Sequence, residues 1–285
     1  MDTQTQSQAG LFAPLAPAIE LSGVTKRFTT PGGSTYTALR DLSLDVAPGE
    51  FCAVVGPTGC GKSTTLTLVS GLESPSAGTV RVHGEPVDGI PDGIGFMFQT
   101  DAVLPWKSVL DNVALGPRFR GTPKAQAHAS ARDWLRRVGL AGFEDRFPHQ
   151  LSGGMRKRVA LAQSLINEPR ILLMDEPFGA LDVQTRAIMS NELLQLWDLT
   201  RPSVVFVTHD LEEAIALADT VVVLTAGPGG TVKAAFPVNL PRPRVVQEIR
   251  FDDRFVDLYH QIWEALRSEV DIAYARTTSA GREVS

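Results

Sequence analysis

The chain has 285 residues, which is enough to bury a full hydrophobic core in one large domain or two modest ones. Its formal net charge of −5 argues against a nucleic-acid-binding protein, which usually presents a basic face. There are two cysteines, Cys52 and Cys60, and no apolar run approaches the ~20 residues of a membrane-spanning helix. We therefore predict a cytosolic protein with reduced thiols.

Residues 1–18 are polar and then Ala/Pro-rich, without the basic start and apolar core of a secretory signal, which predicts a disordered leader. Short β-rich runs separated by Pro/Gly turns dominate the first hundred residues, and one helix interrupts them from Lys62 to about Gly71. The predicted strands are Ile19–Phe28, Leu39–Val46, Glu50–Gly56, Gly78–Val87 and Ile94–Gln99.

The pattern turns helical from Pro105 to Gln150, and strands then alternate with helices. This alternation predicts an α/β domain over 19–235, with a parallel sheet covered by helices on both faces. The helical block, at about 103–168, would form a subdomain inserted into that domain. Residues 236–285 contain a Pro-rich linker, PVNLPRPR, and an amphipathic helix at about Asp253–Val270.

The stretch GPTGCGKS fits the phosphate-loop pattern G-x-x-x-x-G-K-[ST], and it lies between a buried strand, FCAVV, and a helix. In such a loop, backbone N–H groups wrap the phosphates, the lysine reaches the β- and γ-phosphate oxygens, and the serine hydroxyl binds Mg²⁺. The predicted nucleotide-binding residues are Gly56, Pro57, Thr58, Gly59, Cys60, Gly61, Lys62, Ser63 and Thr64, with Lys62 also catalytic and Ser63 a metal ligand.

Two adjacent acids end the apolar strand ILLMDEP. Neighbouring side chains of a strand point in opposite directions, so we expect Asp175 and Glu176 to have different roles. Asp175 would hold Mg²⁺, and Glu176 would polarise the attacking water. Alone, such a pair is usually a solvated turn, but together with the phosphate loop it predicts a hydrolytic site.

His209 follows the apolar strand SVVFVT, at the strand end where doubly wound sheets bind ligands. It could donate to a γ-phosphate, although a lone histidine at a strand end is more often structural. The following residues, DLEEA, predict a helix cap formed by Asp210 and Glu213.

Gln99 ends the strand IGFMF and would contact water or Mg²⁺ if its side chain points into the site. Phe28 could stack on an adenine ring, with Tyr36 as the other aromatic side chain available. Aromatic residues beside strands are usually core, so both interpretations stay open for Phe28.

A second candidate phosphate site is the stretch LSGGM, which leads into the helix RKRVALAQSLI. Its glycines let the backbone approach closely, and the first N–H groups of a helix bind anions. The order GPTGCGKST, Gln99, LSGGM, ILLMDEP, GALD and His209 resembles the nucleotide-binding subunits of ABC transporters. The segments MFQTDAVLPWKSVLDNVALG, DEPFGALDVQTR and LPRPR are more narrowly similar to ATPase subunits of nitrate, sulfonate and taurine importers. Met155 and Gly179, in place of the usual glutamine and serine, are tolerated in that branch.

The resemblance implies a P-loop NTPase of the ABC cassette type, with a RecA-like parallel sheet core, an N-terminal antiparallel β-subdomain and an inserted helical subdomain. It also implies ATP and Mg²⁺ as ligands, with Gln99 and Asp175 joining Ser63 at the metal. Two such chains pair head to tail, so the partner is a second copy or a paralogous ATPase subunit. Each ATP then lies between one phosphate loop and the other chain's LSGG segment. The residues assigned to nucleotide on this basis are Ser152, Gly153, Gly154 and Asp182.

The other implied partners are an integral membrane permease and, through the complex, an external solute-binding protein. The chain would then lie peripherally on the cytoplasmic side of the membrane, with the helical block beside Gln99 receiving a permease helix. Trp106 is a candidate contact residue or a buried aromatic. The implied function is ATP hydrolysis coupled to uptake of a small anionic or zwitterionic solute. The alternatives are an export ATPase, which has the same catalytic motifs, and an ABC ATPase acting on nucleic acid or ribosomes, which usually carries two cassettes, coiled coils or basic arms.

Overall fold

The computed structural model describes residues 16–30, 32–100 and 102–280, with side chains up to residue 276, so most of the predicted leader lies outside the described residues. The strands are β1 (Ile19–Thr29), β2 (Thr35–Val46), β3 (Phe51–Val55), β4 (Ala77–Val82), β5 (Glu85–Pro86), β6 (Ile94–Met97), β7 (Ile171–Asp175), β8 (Ser203–Val207), β9 (Thr220–Leu224) and β10 (Val232–Pro237). The helices are α1 (Lys62–Val69), α2 (Val109–Val113), α3 (Leu115–Phe119), α4 (Lys124–Arg137), α5 (Gly153–Leu165), α6 (Val183–Thr200), α7 (Leu211–Leu217), α8 (Val246–Ile249) and α9 (Asp253–Ala280).

A six-stranded sheet in the order β10-β9-β3-β8-β7-β6 lies at the centre of the protein. Its strand pairs are parallel except for β9 and β10 at one edge. The continuous apolar strands are buried on both faces, as parallel sheets require. In β3, for example, Phe51, Ala53 and Val55 contribute to one hydrophobic core, and Cys52 and Val54 contribute to another.

The second sheet is antiparallel, in the order β2-β1-β4-β5, and corresponds to the predicted N-terminal β-subdomain. Apolar residues of β1, β2 and α1 pack against one face of the large sheet, so a sheet and a helix cover that face rather than helices alone. The predicted strand Gly78–Val87 is two strands, because the chain reverses at His83 and Gly84, both with positive φ. β1 begins at Ile19, and one hydrogen bond of the preceding residue, from the Ala18 N–H to Val46 O, attaches the end of the predicted leader to β2.

Helices α2 to α5 lie between β6 and β7 and form the inserted helical subdomain. Helix α4 packs through an apolar stripe whose residues are four apart. The buried side chain of Asn112 in α2 fixes the preceding turn, since it accepts from the Leu104 N–H and donates to three carbonyl oxygens of that turn. This turn carries Trp106, whose side chain is 71% exposed, so the buried-aromatic alternative is wrong.

The C-terminal residues pack onto the large sheet. Strand β10 crosses the predicted boundary at 235/236, and Phe255, Ile262 and Leu266 of α9 belong to the core of the large sheet. Helix α9 continues to Ala280 instead of ending near Val270. No helix in the part of the chain that the structure describes is both long and apolar enough to cross a membrane.

Candidate active site

The phosphate loop connects β3 to α1, as the sequence predicts. Gly61 is the N-cap of α1 with a φ of 102°, and a Cβ there would collide with the Leu39 side chain, so the position requires glycine. Cys60 is buried between the two sheets, and this burial raises the pKa of its thiol. The Cys60 side chain is therefore a packing group, whereas Thr58 and Gly59 lie exposed at the tip of the loop.

Lys62 and Ser63, the first residues of α1, connect the loop to different groups. The Lys62 ammonium donates to Gly56 O at 2.8 Å and to Pro57 O at 3.1 Å, which holds its positive charge within the loop. The Ser63 hydroxyl hydrogen-bonds the Asp175 carboxylate at the end of β7. Burial raises the pKa of Asp175, and the Ser63 hydrogen bond opposes part of that rise. Two of the predicted metal ligands are thus adjacent, while Thr64 continues the first turn of α1.

Glu176 lies just outside β7 in the left-handed region, with a φ of 42°. Its backbone N–H donates to Val207 O at 2.9 Å. A left-handed conformation costs a non-glycine residue about 1–3 kcal/mol and often marks a functional site. Glu176 follows the last residue of β7, so the strand alternation from which we expected different roles for Asp175 and Glu176 does not extend to Glu176.

Three predicted site residues meet at the ends of three neighbouring strands. Gln99 follows β6, Glu176 follows β7 and His209 follows β8. The Gln99 amide donates to Glu176 Oε2 at 3.3 Å, and His209 Nδ1 lies 3.3 Å from the same oxygen. Within the described residues these contacts leave Glu176 Oε1 free to accept from a water. The His209 side chain is 57% exposed, which argues against the purely structural interpretation.

The two candidate aromatics pair directly across β1 and β2, and they share one face of the antiparallel sheet. The Tyr36 hydroxyl donates to Gly59 O at 3.4 Å, at the tip of the phosphate loop. Phe28 is half-buried, and the Lys26 ammonium lies 4.8 Å from the centre of its ring. The geometry therefore places Tyr36 nearer the nucleotide-binding loop than the sequence-based choice of Phe28 anticipates.

Ser152 is the N-cap of α5, and its hydroxyl accepts from the Met155 N–H at 3.3 Å. Gly153 and Gly154 form the first turn, where a Cβ at Gly154 would lie 3.1 Å from the Thr185 side chain. Among the described residues, no hydrogen bond joins 152–154 to the phosphate loop of the same chain. The structure therefore does not bring the two candidate phosphate sites together within one chain.

Asp182 is the N-cap of α6, and it accepts from the Thr185 N–H at 3.0 Å. The hydrogen bonds from Thr185 hold the pKa of Asp182 below its usual range. Arg186, one turn further, donates to Leu181 O at 3.1 Å and to the Asp210 carboxylate at 2.7 Å. It thereby joins the GALD loop to the loop after β8, a connection that sequence reasoning missed because Asp210 is 24 residues away in the chain.

Lys157 of α5 also escaped the sequence interpretation. Its side chain is buried and donates to Gln99 O at 3.0 Å, which ties the helix that begins with LSGG to the residue beside Glu176. In the sequence Lys157 is one of three consecutive basic residues, and nothing in that run distinguishes a buried lysine from its more exposed neighbours.

Comparison with known proteins agrees with the interpretation of this site as a phosphate loop beside a hydrolytic cluster. Residues 39–179 match the family model described as ABC transporter. The chain is 43% identical to the taurine import ATP-binding protein TauB of Pseudomonas entomophila, over 84% of this chain and 92% of TauB. It is 43% identical to an uncharacterized ABC transporter ATP-binding protein of Methanocaldococcus jannaschii, over 88% of this chain and 92% of that protein. It is 37% identical to the bicarbonate transport ATP-binding protein CmpC of Synechococcus elongatus, over 88% of this chain but 37% of CmpC.

Among solved structures, the chain is similar to the dimeric post-hydrolysis state of the ATP-binding cassette MJ0796 bound to ADP and Pi. The TM-score is 0.68 at 30% identity, covering 78% of this chain and all of that one. The predicted α/β P-loop cassette fold and the predicted ATPase activity are confirmed by these matches. The chain belongs to the ABC transporter family, as an ATP-binding subunit that hydrolyses ATP.

Proposed function

We propose that the chain hydrolyses ATP to drive uptake of a small anionic or zwitterionic solute through a separate permease. The observation that supports the catalytic part most strongly is the convergence of Gln99 and His209 on one oxygen of Glu176. The names of the relatives, taurine import and bicarbonate transport, support the direction and the solute class. An export ATPase would share the catalytic motifs, so the direction rests on the relatives.

Mg²⁺ fits the oxygen donors of this site. The ion usually takes one or two carboxylates, substrate phosphates and waters, and the Ser63–Asp175 hydrogen bond already places a hydroxyl beside a carboxylate. Gln99 is the third proposed ligand. When bound, the ion neutralises charge on the β- and γ-phosphate oxygens. Lys62 would exchange its bonds to the Gly56 and Pro57 carbonyls for bonds to phosphate oxygens.

Glu176 is the proposed general base. With Oε2 held by Gln99 and His209, Oε1 accepts the hydrogen bond of the attacking water and then its proton. The water oxygen bonds to the γ-phosphorus as the bond to the bridging oxygen breaks, and ADP leaves. His209, half-exposed at the rim, would donate to the γ-phosphate that is being transferred.

A second copy or a paralogous subunit would complete each nucleotide site. Ser152, Gly153 and Gly154 present the N–H groups of a helix N-terminus, which bind anions best when solvent is excluded. They make no hydrogen bond to the phosphate loop of their own chain among the described residues. Asp182, on the adjacent loop, would lie at the same interface. The related cassette structure is dimeric, which supports this pairing.

The permease would dock beside Gln99. A groove there has a volume of about 280 Å³ and is lined by apolar residues including Phe96, Phe98 and Leu115. Phe119, which lines the groove, is 84% exposed, and Trp106 is an exposed aromatic residue of the same inserted subdomain. Exposed apolar clusters of this kind mark protein-interaction sites. Bound there, the chain would lie peripherally at the cytoplasmic face of the membrane, and the external solute-binding protein would contact the permease instead of this chain.

Uptake assays test the function. Cells that lack this chain are expected to lose accumulation of one labelled solute among taurine, an alkanesulfonate, nitrate and bicarbonate. Wild-type chain and Glu264→Gln, an exposed control on α9, should restore accumulation, whereas Glu176→Gln should not. Unchanged uptake of all four solutes together with impaired efflux would favour the exporter.

A further inference from the structure

A glycine-rich loop after β9, residues 226–230 (the AGPGG loop), lies directly against the phosphate loop. A Cβ at Gly227 would collide with the carbonyl oxygen of Gly59, and a Cβ at Gly230 would collide with that of Cys60. Glycine is needed at both positions because the two backbones approach so closely. Protein interiors are close-packed, so a shift of the AGPGG loop must move the phosphate loop.

The same loop also holds β2, the strand that carries Tyr36. The Gly229 N–H donates to Thr37 O at 2.7 Å, and the Gly230 N–H donates to Ala38 O at 3.1 Å. Tyr36 in turn reaches the tip of the phosphate loop through its hydroxyl. The AGPGG loop thus packs against the phosphate loop on one side and hydrogen-bonds β2, the strand that carries Tyr36, on the other.

Helix α9 fixes the start of the AGPGG loop through both polar groups of Ala226. Buried Glu269 accepts from the Ala226 N–H at 2.8 Å, and its other oxygen pairs with Lys233 at 2.7 Å. Arg276 donates to Ala226 O at 3.3 Å and to Gly227 O at 2.6 Å. Hydrogen bonds to charged groups are stronger than neutral ones, so this attachment is firm.

We propose that α9 sets the affinity of the phosphate loop for ATP, with Glu269 and Arg276 as positioning residues that act through the AGPGG loop. This inference rests on the assignment of the phosphate loop to the nucleotide. The cluster of Gln99, Glu176 and His209 follows β6, β7 and β8, whereas the AGPGG loop follows β9, on the opposite side of β3 in the sheet. Loosening the loop therefore alters nucleotide binding and leaves the catalytic cluster in place.

The test measures MgATP affinity and turnover separately in the full chain. In Glu269→Ala, the Kd and KM for MgATP should rise about fivefold or more, a typical size of coupling between adjacent sites. Turnover at saturating ATP should stay within about twofold of wild type. Glu269→Gln keeps an acceptor for the Ala226 N–H and should recover most of the affinity. Arg276→Gln should weaken binding in the same direction.

Glu264→Ala and Arg267→Gln are the controls, since both side chains are exposed on the same helix. Unchanged Kd and KM in Glu269→Ala and Arg276→Gln, with only a lower Tm, would show that α9 merely stabilises the fold and would overturn the proposal. A loss confined to turnover would overturn it as well. If Glu269→Ala does not fold, Arg276→Gln decides alone, because its side chain lies at the surface. Wild-type chain that fails to bind ATP would instead contradict the nucleotide assignment itself.

Discussion

Glu176 has a left-handed backbone conformation, and its Oε2 accepts a hydrogen bond from the Gln99 amide. We assign its carboxylate to the chemical step and not to the binding of ATP. Glu176→Gln keeps the size and an acceptor for Gln99 but removes the base. We expect ATP to bind with wild-type affinity and hydrolysis to fall by about 10²–10⁴-fold, the usual general-base contribution. Phosphate release and nucleotide binding, measured together, check both parts. Turnover close to wild type, or to the Glu264→Gln control, would remove Glu176 from this role.

Glu213, in the first turn of α7, has a buried carboxyl that the catalytic mechanism does not use. The Thr208 hydroxyl donates to it at 2.6 Å, and Asp210 caps α7 by accepting from its backbone N–H. Of the two residues predicted to form the cap, Asp210 caps the helix, whereas the Glu213 side chain points into the core. Burial raises its pKa to about 7.

This raised pKa predicts a pH-dependent stability. Between the ordinary carboxyl range and pH 7, the folded chain binds more protons at Glu213 than the unfolded chain does, so the free energy of unfolding falls as pH rises. Glu213→Gln removes that dependence. Relative to wild type, its free energy of unfolding should increase between pH 5 and pH 8 by up to about 3 kcal/mol. Urea unfolding at both pH values measures the difference, and parallel pH profiles for the two proteins would contradict it.

At the scale of elements, two arginines of the Pro-rich segment attach the C-terminal tail, from residue 236 onwards, to the rest of the cassette. The buried Arg244 guanidinium donates to three carbonyl oxygens at the C-terminal end of α7 and to two in the segment itself. Arg242 pairs with Asp219 and lies over the Trp197 ring. The residues that identify the subfamily in the sequence thus have a structural task, which is to dock the tail against α7.

Arg244→Leu tests this attachment. The substitution removes the donor shared by five carbonyl groups, and each group left buried and unpaired costs ~1–3 kcal/mol, so we expect a loss of about 5 kcal/mol or more in the free energy of unfolding. Arg244→Lys should recover only part, because an ammonium cannot reproduce the planar fork of donors. Urea unfolding compares both with Arg267→Ala, an exposed control on α9. Identical midpoints for Arg244→Leu and the control would show that the segment is not docked in this way.

Sequence patterns predict the elements that local contacts determine, and they fail where a long-range contact determines the structure. Strand–loop–helix patterns are local, so the sequence predicts the phosphate loop between β3 and α1 and the helical segment between β6 and β7. It does not predict the end of α9, because beyond Val270 the apolar pattern fades and the helix is held by Arg276 bonding to the AGPGG loop. The choice between Phe28 and Tyr36 also depends on a long-range contact, the Tyr36 hydroxyl on Gly59 O. Lys157 and Arg186 act through backbone and carboxylate oxygens that no sequence pattern reveals.

At the scale of the whole molecule, the predicted head-to-tail dimer requires that the LSGG segment of one chain contacts the ATP bound to the phosphate loop of the other. Ser152→Arg would place a guanidinium and its long stem where backbone must approach the partner's γ-phosphate. The change also removes the N-cap of α5, a loss of about 1 kcal/mol that leaves the chain folded. Ser108→Arg is a matched control, since it removes the N-cap of α2 in the same subdomain. We expect Ser152→Arg to bind ATP but not dimerise, and Ser108→Arg to do both.

Mixing Ser152→Arg with Lys62→Ala distinguishes action on the partner's nucleotide from action on the chain's own. Lys62→Ala alone should bind ATP poorly, because the loop loses the ammonium that we propose binds the phosphates. In a head-to-tail heterodimer both defects fall on one composite site, and the other site joins an intact phosphate loop to an intact LSGG segment. ATP-dependent dimerisation, measured by light scattering with the Glu176→Gln change added to both chains, should therefore return in the mixture. If Ser152 served its own chain's nucleotide, every heterodimer would hold two damaged sites, and the mixture would stay monomeric.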